Sequence, residues 1–87
     1  MNLFRQRLTI EGIVQGVGFR PFVYQTAVRL GLAGWVNNDS RGVTIEVEGA
    51  AADLAEFGRV LCDEHPPLAS ISSIRTSELP ATGASGF

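Results

Sequence analysis

The stretch Gly12-Ile13-Val14-Gln15-Gly16-Val17-Gly18-Phe19-Arg20 holds the residues of this chain best suited to chemistry. Gly16 and Gly18, two apart, allow backbone angles closed to other residues. Arg20 follows at once, and Phe19-Arg20-Pro21-Phe22 opens a helix, because proline is tolerated in a first turn whose N–H groups have no helical partner. A tight loop that runs into a helix N-terminus turns several N–H groups toward one point, where the helix dipole adds positive potential. A guanidinium at the same place makes capture of a phosphate the predicted chemistry. The plain alternative is a tight turn followed by a solvated arginine. The better-known phosphate loops do not fit. The Walker loop needs a lysine before Ser or Thr, and the chain has no lysine; the dinucleotide fingerprint needs a third glycine where Pro21 stands.

The elements that must position this loop can be read from periodicity. Residues 5–14 alternate around Leu8 and Ile10 and close on Ile13 and Val14, which predicts a strand. From Pro21 to Leu30, apolar residues at Phe22, Val23, Ala27 and Leu30 follow helical spacing, and Gly31 stops the helix. A second strand fits residues 33–38. The turn formers Asp39-Ser40-Arg41-Gly42 then lead into the alternating strand Val43 to Glu48, making a hairpin. Asp53 is the expected cap of a second helix with the stripe Leu54, Phe57, Val60 and Leu61, which His65-Pro66-Pro67 ends. Leu68 to Ile74 reads as the last strand. Strand, helix, strand, strand, helix, strand is an α+β, ferredoxin-like βαββαβ sandwich, with two helices on one face of an antiparallel sheet. One domain over residues 1–78 is expected, with a turn-rich, flexible tail over 79–87.

Composition removes several classes of function. Eighty-seven residues make one domain, and 45% hydrophobic with 18% charged residues is ordinary for a globular protein. Seven arginines against nine acids give a net charge of −2, with no basic block for a nucleic-acid backbone. No apolar run reaches membrane length, and Met1-Asn2-Leu3-Phe4-Arg5 lacks the core of a signal peptide, so a cytoplasmic setting is expected. The single cysteine, Cys62, excludes an internal disulfide or CxxC pair, and His65 is the only imidazole, so no metal and no cofactor are expected in this domain.

Taken together, Gly12-x-Val14-Gln15-Gly16-Val17-Gly18-Phe19-Arg20 and Gly34-Trp35-Val36-Asn37-Asn38 resemble the acylphosphatase family. The likeness covers roughly residues 7–75, and the ordered pair of motifs is far more specific than either half. Arg20-Pro21-Phe22-Val23-Tyr24, Asn38-Asp39 and His65-Pro66-Pro67-Leu68-Ala69-x-Ile71 look closer still to the N-terminal acylphosphatase-like domain of HypF-type hydrogenase maturation carbamoyltransferases. The resemblance implies an excised N-terminal domain that stops about where the family begins its last short strand, leaving an exposed sheet edge. It implies hydrolysis of an acyl phosphate, here carbamoyl phosphate. The N–H groups of Gln15, Gly16, Val17, Gly18, Phe19 and Arg20 would surround the phosphoryl oxygens. Arg20 would pair with them, and Asn38 would hold the attacking water. The implied partners are the small-molecule substrate, downstream domains of the same polypeptide and other hydrogenase maturation proteins, with no nucleic acid and no membrane.

Two rivals follow from the same residues. A binding module would capture phosphate or carbamoyl phosphate without turnover, and Pro21-Phe22 would tune that pocket or dock a partner domain. An RNA-binding domain is weakly echoed by Arg41-Gly42-Val43, but Thr44, Ile45, Glu46 and Val47 follow where stacking aromatics are needed. A decayed, purely structural domain is opposed by the presence of both Arg20 and Asn38. Alone, Asn38 could simply shape the turn. Trp35 reads as a partly buried sheet residue, His65 as a loop residue, Asp63 and Glu64 as an exposed helix end, and Cys62 as packing.

Overall fold

Alternation along the strands settles which side of the sheet is covered. The computed structural model describes residues 2–87; Met1, which the domain reading includes, lies outside the described residues. The elements are β1 (Phe4–Ile13), α1 (Phe19–Arg29), β2 (Ala33–Asn38), β3 (Gly42–Gly49), α2 (Ala51–Asp63) and β4 (Ser70–Leu79). The strands form one antiparallel sheet in the order β2-β3-β1-β4. Each helix thus connects two parallel strands with a third strand between them, the split βαβ arrangement expected from the sequence. Leu8 and Ile10 of β1 and Val43, Ile45 and Val47 of β3 point to one face. There they meet Phe19, Val23 and Ala27 of α1 and Leu54, Phe57 and Leu61 of α2. Burial of this apolar set is what holds the helices down.

Several boundaries differ from the sequence reading. Helix α1 opens at Phe19, as the Phe19-Arg20-Pro21-Phe22 run predicts, and ends at Arg29 rather than Leu30; Phe19 is itself a core residue, 1% exposed, and draws the first turn inward. Asp53 does not cap α2. The cap is Ala50, in an extended conformation, and Asp53 lies in the first turn, where a carboxylate still suits the helix dipole. Cys62 is exposed rather than packed, since Leu61 and Val60 already occupy the inward side of that turn. Strand β4 runs five residues past Ile74, to Leu79. It is an edge strand whose Arg75 and Glu78 face solvent, which hides it from a hydrophobicity pattern and protects the edge. Ile71 and Ile74 are three apart yet pack on the same core, because the register shifts opposite Glu11 and Gly12. The bulge absorbs the extra residue.

On the uncovered face, Arg5 of β1 and Glu46 and Glu48 of β3 are nonetheless buried, while Arg7 is exposed. Arg5 donates from Nε to Glu46 (2.9 Å) and from Nη1 to Glu48 (3.2 Å), while Arg7 donates from Nη2 to Glu46 at 2.6 Å. Residues 80–87 have no regular secondary structure, in keeping with their Gly and Pro content, but they are tied to the sheet. Glu48 accepts the N–H groups of Thr82 and Gly83, both at 2.8 Å, and the Thr82 hydroxyl at 3.1 Å. On the outer side of β2, the Gly34 N–H donates to the Gly86 carbonyl at 3.0 Å. Among the described residues no helix is long and apolar enough to cross a membrane.

Candidate active site

The loop between β1 and α1 and the last residue of β2 meet at one end of the sheet. Gly16 (φ 70°) and Gly18 (φ 80°) are left-handed, a conformation that L side chains rarely adopt. Nothing in the protein lies within 4 Å of a Cβ built on either one. Their requirement is therefore angular, and the space above them is open. Gly18 caps α1, and its carbonyl accepts the Phe22 N–H at 3.2 Å. Among the described residues the N–H groups from Gln15 to Arg20 find no acceptor in the protein. They lie at the positive end of an eleven-residue helix, α1, with no acidic residue in its first turn.

At this end of the sheet lies a cleft of about 580 Å³ lined by Val14, Gly16, Gly18, Phe19, Arg20, Pro21, Tyr24, Gln25, Val36 and Asn38. Arg20 stands in the first turn of α1 and has no acidic partner among the described residues. Asn38 ends β2 opposite the buried Val43. Two-residue alternation puts Asn38 and Val36 on the helix-covered side, facing the cleft, and Asn37 on the other. Gly16, Gly18, Phe19, Arg20 and Asn38 thus line one cleft.

Gln15 and Val17 are not among the lining residues. The Gln15 side chain turns the other way, donating from Nε2 to the Asp39 carbonyl and, at 3.2 Å, to the Gly42 carbonyl. The same turn is closed by the Asp39 carboxylate, which accepts the N–H groups of Arg41 (2.7 Å) and Gly42 (2.9 Å). Those bonds, the Arg41 one first, hold the Asp39 carboxyl below its ordinary range. The bonds of Gln15 therefore fasten the phosphate-type loop to the β2–β3 turn, one residue from Asn38. Pro21 lines the cleft, and its neighbour Phe22 does not. A role for Gln15 in spacing the loop from Asn38 escaped the sequence reading, as did Tyr24, Gln25, Val36 and Val14 in the lining. Helical and strand spacing could have found them: Tyr24 lies one turn after Arg20, and Val36 two residues before Asn38.

A family model described as Acylphosphatase matches residues 6–87. The carbamoyltransferase HypF2 of Cupriavidus necator is 51% identical over 84 residues, which is 95% of this chain and 10% of that protein. An acylphosphatase of a Synechococcus species is 45% identical over 84 residues, covering 95% of this chain and 83% of its own. Among solved structures, full-length HypF in a phosphate- and nucleotide-bound form superposes with a TM-score of 0.95 at 40% identity. That match covers 99% of this chain and 11% of the longer one. The chain therefore spans about a tenth of the carbamoyltransferases it matches and most of the Synechococcus acylphosphatase.

Proposed function

The chain belongs to the acylphosphatase family, and on that premise we propose that it hydrolyses carbamoyl phosphate at the cleft between the β1–α1 loop and Asn38. The observation that carries this is the convergence of unclaimed donors. Gly16, Gly18, Phe19, Arg20 and Asn38 line one open cleft, and no protein acceptor competes for the loop N–H groups among the described residues. A mixed carboxylic–phosphoric anhydride has a good leaving group, so the enzyme's task is positioning and charge stabilisation. The loop N–H groups and Arg20 hold the non-bridging phosphoryl oxygens, Arg20 keeping its charge throughout. Asn38 orients a water, whose oxygen attacks phosphorus as the bond from phosphorus to the bridging oxygen breaks. The products are inorganic phosphate and carbamate, the water's protons passing to phosphate and solvent. The scheme uses no metal and no cofactor, so activity is expected to survive a chelator.

The choice of carbamoyl phosphate is supported by the relatives named carbamoyltransferases, within which the matched segment is a small part. In such a setting, a cytoplasmic hydrogenase maturation protein, the carbamate would pass to downstream domains of the same polypeptide. The test is phosphate release by the purified chain from carbamoyl phosphate and from acetyl phosphate, with and without chelator. Turnover of both, with kcat/KM higher for carbamoyl phosphate, is the expected result. Saturable phosphate binding without turnover would replace the enzyme with a binding module.

A further inference from the structure

The cleft extends well past the groups that would hold a phosphate. From the loop it runs along α1 beyond Pro21 to Tyr24 and Gln25, with Val36 of β2 in the opposite wall. Tyr24 follows Arg20 by one helical turn and Gln25 follows Pro21 by one turn, so all four lie on the cleft side of the helix. Among the described residues, Arg20 is the only charged side chain in the lining, and the far end offers only the Gln25 amide and the Tyr24 hydroxyl as polar groups. Half-exposed as it is, Tyr24 is not free. Its ring packs against Phe87, with centroids 6.2 Å apart and planes at 59°. Phe87 in turn packs on the hydrophobic core, and its neighbour Gly86 is bonded to Gly34 of β2. The far wall is thus built and braced.

Resting on the reading that the loop end takes the phosphoryl group, we propose that Tyr24, Gln25 and Val36 form the acyl subsite. In that subsite Gln25 selects an acyl group that carries N–H donors. A phosphoryl group anchored at Arg20 sends its acyl substituent toward the second turn of α1. The Gln25 amide oxygen then accepts a hydrogen bond from a carbamoyl –NH₂, where acetyl phosphate offers a methyl group. Because the Gln25 side chain is exposed, the discrimination is the gain of this hydrogen bond over one to water. With no second cation in the lining, an acyl group bearing its own carboxylate finds nothing to neutralise it.

Steady-state kinetics of Gln25→Leu and Tyr24→Ala with carbamoyl phosphate and acetyl phosphate tests this, together with competitive inhibition by inorganic phosphate. Gln25→Leu is expected to lower the ratio of kcat/KM for carbamoyl over acetyl phosphate about fivefold or more. Tyr24→Ala is expected to raise KM for both substrates. In both variants the inhibition constant for phosphate stays close to that of the unaltered chain, because the loop is untouched. Both residues are exposed, so folding is not at stake. An unmoved ratio in Gln25→Leu, with phosphate inhibition intact, overturns the acyl-subsite assignment alone. No phosphate inhibition of the unaltered chain overturns the reading of the loop end and this assignment with it.

Discussion

Arg5 and Arg20 stand near opposite ends of β1 in opposite conditions. Arg5 is 7% exposed and bonded to both Glu46 and Glu48. Arg20 is exposed at the head of α1, with no acid paired to it among the described residues. The contrast extends to their surroundings. Glu48 has its carboxylate filled by Arg5, Thr82 and Gly83, and among the described residues no buried side-chain polar atom lacks a partner. Around Arg20, a run of loop N–H groups has none. Buried polar groups left unpaired cost stability, so proteins satisfy them. A set left open toward solvent stabilises nothing in the fold and is free to bind an anion. The first region holds the structure together; the second leaves its donors unpaired.

That division can be broken or sharpened by substitution. The largest effect is expected at Arg20. Arg20→Ala should lower kcat/KM for phosphate release by about 10²–10³, the usual cost of losing a preorganised donor to a developing oxyanion. Its melting temperature should not fall; a fall would mean that Arg20 belongs to the structural class. Arg5→Met should do the reverse. Removing one partner from a buried ion-pair cluster costs about 3 kcal/mol, read by urea denaturation, while kcat of the folded fraction stays unchanged. Gln15 sharpens the comparison because it belongs to neither class. Its bonds to the 39–42 turn space the loop from Asn38, so Gln15→Ala should lower kcat/KM about tenfold through misplacement, with little effect on melting.

Acid is expected to act on the structural region first. The Thr82 N–H, followed by those of Gly83 and the Arg5 guanidinium, pulls the Glu48 carboxyl from 4.5 down to about 2, against the opposing pull of burial. Glu46 is lowered too, chiefly by Arg7. A carboxyl with a depressed folded pKa stabilises the fold fully above its unfolded value. That contribution is lost as pH falls through the folded value. Stability should therefore be level above about pH 5 and decline from about 4.5 toward 2. Glu48→Gln should flatten that decline in pH-dependent urea denaturation.

How much of this was legible in the sequence follows the same line. Strands β1 and β3 announce themselves by alternation, and the Gly16-Val17-Gly18-Phe19-Arg20 run places its own loop and helix start. Glu46 and Glu48 read as solvent-facing members of an alternating strand. Their burial depends on arginines some forty residues earlier and on residues 82 and 83, which no local pattern connects to them. The tail looks like loop by composition because its ties to Glu48 and Gly34 are made chiefly by backbone groups, which every sequence possesses. Asp53 has the right residue type for a cap, but the chain enters α2 directly from β3 and leaves it only as a first-turn acid. The cleft lining beyond the motif was implicit in the spacing of Tyr24 from Arg20 and of Val36 from Asn38, and needed only the topology that brings α1 beside β2.

If the open N–H groups of the β1–α1 loop, with Arg20, form an anion site, phosphate must bind there. Titration of the ¹⁵N-labelled chain with inorganic phosphate, followed by ¹H–¹⁵N correlation spectra, tests it most directly. The amide signals of Gln15 to Arg20 should move saturably while those of Arg5, Glu46 and Glu48 stay in place, and Arg20→Ala should abolish the response in a folded chain. Phosphate shifts that spare the loop, or that persist undiminished in Arg20→Ala, would contradict the account.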